Sequence, residues 1–245
     1  VTRMRTVRQV LSGFLLLSVL AVLVGLGTWQ LQRLAWKEGL LAEIESRRHE
    51  PPLTVEAVAR MVTERKPVDY RAMTATGTFQ HDKERRFLAT YDGRPGFYIY
   101  TPLTLADGYI LFVNRGFVPD ERKDPFSRHE GQVAGSVTIH GLAREKLGGK
   151  PSALVPDNDP ARNIFYWKDL DTMAASVGLD QAKILPFFLD AGPEPVPGGL
   201  PIGGVTQIDL PNNHLQYALT WYGLALALLV VCLLSWLRRR RLRGL

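Results

Sequence analysis

The sequence predicts a membrane-anchored α+β protein. Two transmembrane helices flank a mainly antiparallel β domain, a sandwich or small barrel, held outside the cytoplasm. Three observations carry this. Residues 10–29 and 217–237 are uncharged, mostly apolar runs of 20 and 21 residues, and a helix needs about 20 to cross the hydrocarbon core. Arginines stand outside both runs: Arg3, Arg5 and Arg8 before the first, Arg238, Arg239, Arg240, Arg241 and Arg243 after the second. Between the runs, short β-branched and aromatic stretches alternate with Asp-Gly and Pro/Gly turns.

Composition supports the same division. The chain has 245 residues with 30 basic and 24 acidic side chains. Without the eight terminal arginines, 22 basic residues face 24 acidic ones. The basic balance therefore belongs to the spans, where it sets topology and meets anionic lipid headgroups. Membrane lipid is an expected partner and nucleic acid is not. Cys232 is the one cysteine, which excludes an internal disulfide and a CxxC redox or copper-carrying motif.

Taken in order, residues 1–29 are the first span with its basic cytoplasmic end. The one small-x-small candidate, Gly25-Leu26-Gly27, lies inside the apolar run, so the segment reads as an uncleaved anchor. The positive-inside rule puts both termini in the cytoplasm. Residues 30–213 then form the periplasmic domain of a bacterial inner-membrane protein, and residues 214–245 the second span with its arginine-rich cytoplasmic end. Leu31, Leu34, Leu41 and Ile44 keep a helical stalk going to about Arg48, and Pro51-Pro52 end it. Thr54 caps a short helix through about Val62. Strands are expected at residues 73–79, 86–91, 97–101, 109–113 and 137–142. Ala106-Asp107-Gly108 marks a hairpin. A helix follows at residues 168–177 with Gly178 as its C-terminal stop. Residues 183–189 read as an edge strand because Pro186 interrupts them. A Pro/Gly loop, 193–204, and an extended segment, 205–210, lead to the second span.

The usual catalytic signatures, G-x-S-x-G, H-E-x-x-H and G-x-G-x-x-G, are missing, and no enzymatic activity is expected. Asp157-Asn158-Asp159 lacks the glycine of a calcium loop and reads as an Asx turn. His49, His81 and His129 sit among charges and read as solvated; His140 reads as a partnered strand residue. His214 differs. It opens the second apolar run, and Tyr217 and Trp221 follow three and seven residues on, near one helical face. Neutral imidazole at that depth can ligate iron, and rings can support a flat macrocycle. From spacing alone, anchoring at the headgroups is the more ordinary explanation. Ala21 with Gly25, and Gly223 with Ala227, are small residues four apart. They predict close packing of the spans through Gly25 and Gly223, with Trp29 beside His214.

Five stretches occur in order between the two runs. They are Gly27-Thr28-Trp29-Gln30-Leu31 onward to Trp36-Lys37; Tyr70-Arg71, Gly77-Thr78-Phe79 and Pro95-Gly96-Phe97; Val113-Asn114-Arg115-Gly116-Phe117-Val118-Pro119; Asn158-Asp159-Pro160 with Tyr166-Trp167-Lys168-Asp169-Leu170; and Asn212-Asn213-His214-Leu215-Gln216-Tyr217 through Tyr222. Together they resemble the Surfeit-locus-one family of cytochrome c oxidase assembly factors, over nearly the whole chain. The resemblance implies a two-span protein that receives haem a and aids its insertion into the oxidase catalytic subunit. It implies that subunit as partner, with haem a synthase a further candidate. His214 matches the family's axial haem-iron ligand; Tyr217 and Trp221, by helical spacing, and Trp29, by the expected packing of the spans, are the candidate cofactor-binding aromatics around it. Phe117 departs from the tryptophan common in the family. Arg33 and Arg115 are candidate partners for haem propionates. The alternative is a structural scaffold for an oxidase intermediate that binds no haem.

Overall fold

The computed structural model describes residues 2–206 and 212–243. The chain divides into two compact units, Val1–Ala42 with Ile208–Leu245, and Glu43–Gln207. The first unit is helical. It holds most of α1 (Thr2–His49) and all of α4 (His214–Arg243). Both helices are long and apolar enough to cross a bilayer. The expected stalk is continuous with the first apolar run, as one unbroken helix. The expected return segment at residues 205–210 falls largely outside the described residues.

The second unit is a small β barrel. Its elements are β1 (Leu53–Thr54), α2 (Val55–Thr63), β2 (Ala72–Phe79), β3 (Arg85–Tyr91), β4 (Arg94–Leu105), β5 (Ile110–Pro119), β6 (Ser136–Glu145), α3 (Leu170–Ala175) and β7 (Ile184–Ala191). Neighbouring strands run β2–β6–β7–β5–β4, and β4 pairs again with β2 through Gly77↔Leu105 to Phe79↔Leu103. That pairing closes a five-strand ring. All its ladders are antiparallel except β5–β7. The order and the single parallel pair are those of an OB-type Greek-key barrel. β4 reaches past the ring, and its outer half carries β3. Of the two architectures expected, sandwich or small barrel, the chain adopts the barrel.

Strand alternation distributes the apolar side chains between two layers. Leu103, Leu111, Val113, Phe187 and Leu189 share an interior cluster with Met73, Ala75 and Ala143, onto which α2 packs Val55 and Val58. Thr54 caps α2 as expected, accepting from the Ala57 amide at 3.3 Å. Ile110, Phe112, Phe188 and Tyr100 point outward, where α3 covers them with Leu170, Met173 and Ala174. α3 begins at Leu170, two residues later than the pattern predicts, because Asp169 accepts from the Thr172 amide (3.1 Å) and is its N-cap.

Two expectations are corrected. β7 is an inner strand between β5 and β6, not an edge. Pro186 is tolerated because the β6 ladder begins only at Phe187, and the β5 pairing is shifted between Ile184 and Phe188; no ladder needs its missing N–H. His81 is half-buried, not solvated. Its Nε2 lies 2.9 Å from the Val133 carbonyl and its Nδ1 3.3 Å from Arg115 Nη1. The local turn falls to Asp159, whose Oδ1 accepts from the Arg162 amide; Asn158 Oδ1 instead accepts from the more distant Tyr166 and Trp167 amides.

Barrel closure rests on a close approach at Gly77, where a Cβ would overlap the Thr104 carbonyl oxygen and meet Leu103 at 3.0 Å. Gly77→Ala should therefore cost about 1–3 kcal/mol. It should also speed amide exchange along the β2–β4 pairing. Thermal unfolding with hydrogen exchange of the detergent-solubilised chain checks this; an unchanged midpoint and unchanged protection would show that the seam does not close the barrel.

Candidate functional site

In the helical unit, burial follows a seam. On α1 the covered positions include Leu16, Leu20, Leu23, Gly27, Gln30 and Leu34; on α4 they include His214, Ala218, Trp221, Ala225, Leu228 and Cys232. Steps of four and three residues are the spacing of a two-helix knobs-into-holes seam. Ala218 and Ala225 are nearly fully buried, as expected where two backbones approach. Gly27 supplies the matching gap on α1. A Cβ there would lie 2.9 Å from the Tyr222 ring. Thr28 Oγ1 and Tyr222 Oη lie 3.0 Å apart.

The small pairs expected to make this contact do not make it. Ala21, Gly25, Gly223 and Ala227 are all exposed, and a Cβ on Gly25 or Gly223 meets open space. Their four-residue spacing matches a different crossing, whereas the large side chains here select the alternating three-four seam.

At one end of the seam His214, the first residue of α4, meets Gln30. Its Nδ1 lies 2.8 Å from Gln30 Oε1. An amide oxygen carries no proton, so Nδ1–H donates, and in that tautomer of the imidazole the lone pair is on Nε2. Gln30 is buried, and a buried amide requires such a partner. Fixing one ring nitrogen through a hydrogen bond is how proteins orient a metal-binding histidine. The arrangement thus offers one oriented imidazole lone pair at the mouth of a helix pair. Trp221 is half-buried on the same seam. Trp29 and Tyr217 are each 54% exposed, so they sit off the seam on open flanks. Sequence reasoning missed Gln30. Its signal was an uncharged polar side chain at seam spacing from Leu23 and Gly27.

The two arginines part company. Arg33 is exposed with its guanidinium 4.0 Å above the Trp36 ring. Arg115 belongs to the barrel unit and is only 4% exposed. Its Nη1 meets His81, its Nη2 donates to the Gly131 carbonyl, and its plane covers Phe79 at 4.9 Å. Burial pulls its pKa down to about 10. Arg115 is committed within the barrel and is withdrawn as a propionate partner.

A closed Greek-key barrel carried between two apolar terminal helices, with a histidine opening the second helix, defines the class. The chain belongs to the SURF1 family, whose model matches residues 17–226. It is 40% identical to Surfeit locus protein 1 of Rattus norvegicus over 228 residues, covering 86% of this chain and 71% of that protein. It is 38% identical to Surfeit locus protein 1 of Homo sapiens over 232 residues, 87% of this chain and 74% of the relative. A SURF1-like protein of Monosiga brevicollis is 38% identical over 242 residues, 94% and 87% of the two chains.

The seam generates a contrast between two glycines. Gly27→Leu should separate the helices, and Gly25→Leu should not. Distances between spin labels at the exposed positions Val24 and Leu226, in a Cys232→Ser background, read the separation with Tyr222 left in place. Equal label distances in both leucine variants would remove Gly27 from the contact.

Proposed function

We propose that this protein is an assembly factor for haem-copper cytochrome c oxidase, binding haem a at the membrane surface and aiding its insertion into the catalytic subunit. Family membership supports the assembly role. One observation supports the haem: the Gln30–His214 hydrogen bond, which leaves Nε2 as an oriented lone pair. His214 would hold the haem iron through that lone pair. Trp221, Tyr217 and Trp29 are the aromatic surfaces around this end of the helix pair. The cofactor is bound transiently, the catalytic subunit is the recipient, and a haem a synthase is the natural donor. No residue here is assigned a catalytic step.

The same reading makes α1 and α4 true spans. Arginines beyond the outer end of each apolar run support this reading, in which both termini lie on the cytoplasmic side of a bacterial inner membrane and the barrel in the periplasm. Reporters fused after Leu245 and within the 193–204 loop should report cytoplasm and periplasm respectively; cytoplasmic activity from the loop fusion would overturn this topology.

The haem assignment is tested with protein purified from cells that make haem a. His214→Ala should abolish haem content while the protein still reaches the membrane. Gln30→Leu should keep the ligand but lose its orientation, weakening haem retention about 10–100-fold. Full occupancy with an unchanged spectrum in His214→Ala would sink the axial-ligand assignment. Normal oxidase activity in membranes carrying that variant would instead favour a scaffold that binds no haem.

A further inference from the structure

The barrel unit contains a second polar site, separate from the helix pair. On its outer face the apolar layer under α3 gives way to polar residues in the next strand positions. Phe112 is followed by Asn114, and Phe188 by Asp190, which are register partners on β5 and β7. Beside them is a cavity of about 180 Å³ lined by Phe87, Tyr98, Asn114, Arg144, Lys168 and Asp190, with Val205 and Thr206 at its wall. A single water needs roughly 10–15 Å³ by the same kind of measure, so the space takes a small molecule or group.

The hydrogen bonding around it is unequally shared. Asp190 is buried and already satisfied: Oδ1 accepts from Asn114 Nδ2 at 3.1 Å and Oδ2 from Thr206 Oγ1 at 2.9 Å. The donors are left over. Lys168 is half-buried, and among the described residues its ammonium has no hydrogen-bond acceptor or carboxylate in contact; its partner is the face of the Tyr100 ring, 5.8 Å from the centroid. Tyr100 is fully buried, and its hydroxyl has no partner among the described residues. Arg144 lies over Tyr70 at 4.1 Å, with Asp69 at 3.4 Å. Of the two cations lining the cavity, Arg144 has Asp69 beside it, whereas Lys168 has no carboxylate in contact among the described residues; each oxygen of Asp190 already accepts one hydrogen bond. Lys168 is also held in place deliberately. The Asn158 side chain pins the amides of Tyr166 and Trp167, and Asp169 caps α3, so the lysine is fixed from both sides.

We propose that this cavity binds a carboxylate on a short hydrocarbon stem, with the acid group on Lys168 and the stem against Phe87 and Val205. A single negative charge pairs with the Lys168 ammonium, the lining cation that has no carboxylate in contact among the described residues. A dianion such as phosphate would be repelled by Asp190. Burial depresses the Lys168 pKa, an effect that a bound anion offsets. The cavity is open on one side, so it admits a free acid or the acid arm of a larger molecule. The assignment does not rest on haem binding.

The test uses the full chain in detergent at constant ionic strength. Thermal midpoints are followed against formate, acetate, propionate, butyrate, phosphate and chloride. The expected result is a saturable rise with acetate and propionate, greater than with formate, phosphate or chloride. Lys168→Arg should retain much of it and Lys168→Met should lose it. N-acetylglutamate α-amide distinguishes sources: a response equal to propionate marks an arm of a larger molecule, and its failure beside a propionate response marks a free acid. Should Lys168→Met fail to fold, acetic anhydride labelling of Lys168 in the unmutated chain, read by peptide mass, should slow several-fold with propionate. No saturable carboxylate response, an equal response to phosphate, or an undiminished response in Lys168→Met overturns the proposal.

Discussion

Strand β5 is buried on both faces along nearly its whole length, and the barrel is arranged to meet that constraint. An apolar strand buried on two sides needs two covers. The interior cover comes from the facing strands and α2, the exterior cover from α3 and the Phe165 segment. The same strand carries Asn114 and Arg115, which must be satisfied without water. A bulge begins at the second of them. Two residues of β5, Arg115 and Gly116, oppose one residue of β4. Gly116 takes φ +118° and packs so closely on the Ile202 carbonyl that no side chain fits. Its amide donates to Asn114 Oδ1, so the bulge pays for itself by completing the asparagine's bonds. Asn114 then faces outward to Asp190, and Arg115 inward over Phe79.

Charge at the inner end of the barrel is arranged with less economy. Glu84 and Arg128 form an ion pair with both side chains almost wholly buried. Desolvation raises the Glu84 carboxyl pKa, opposed by Arg128. Burying such a pair costs several kcal/mol per ion before the attraction returns it. Glu84 Oε2 and Arg128 Nη1 find no protein partner among the described residues. The pair nonetheless connects the start of β3 to the loop after β5, regions 44 residues apart. Hydrophobic residues of the same volume would give no such fixed pairing, which points to register and placement rather than net stability as its contribution.

Much of this was legible in the sequence, for local reasons. Thr54, Asp107-Gly108 and Gly178 act within a few residues, and the elements they delimit appear where expected. Unbroken apolar runs gave both long helices. What failed was non-local. Pro186 forbids a ladder bond only if a neighbour asks for one, and the staggered registers of β5 and β6 ensure that none does. His81 looks solvated beside Asp82, Lys83 and Glu84, yet a loop fifty residues away supplies Val133 and another strand supplies Arg115. Glycines in an apolar run mark packing only relative to a partner's side chains. Gly25 and Gly27 are equivalent as letters, and Tyr222 on the other helix distinguishes them.

The two polar sites end up with opposite chemistry. At the helix mouth the histidine's proton is spent on Gln30, and what it has left to offer is a lone pair. A residue serving only to anchor a helix in headgroups gains nothing from that commitment; an outward imidazole exchanging with water would do as well. Burying a glutamine amide to fix one ring orientation makes physical sense when the other nitrogen has a direction to keep. In the barrel cavity the balance is reversed: each oxygen of Asp190 accepts from Asn114 or Thr206, and among the described residues the Lys168 ammonium is the donor left over. A site of that kind suits an anion rather than an electron-pair acceptor such as iron. The two proposed roles, iron binding and acid binding, therefore fall to different units of the chain, each argued from which half of its hydrogen-bonding capacity the fold has already used.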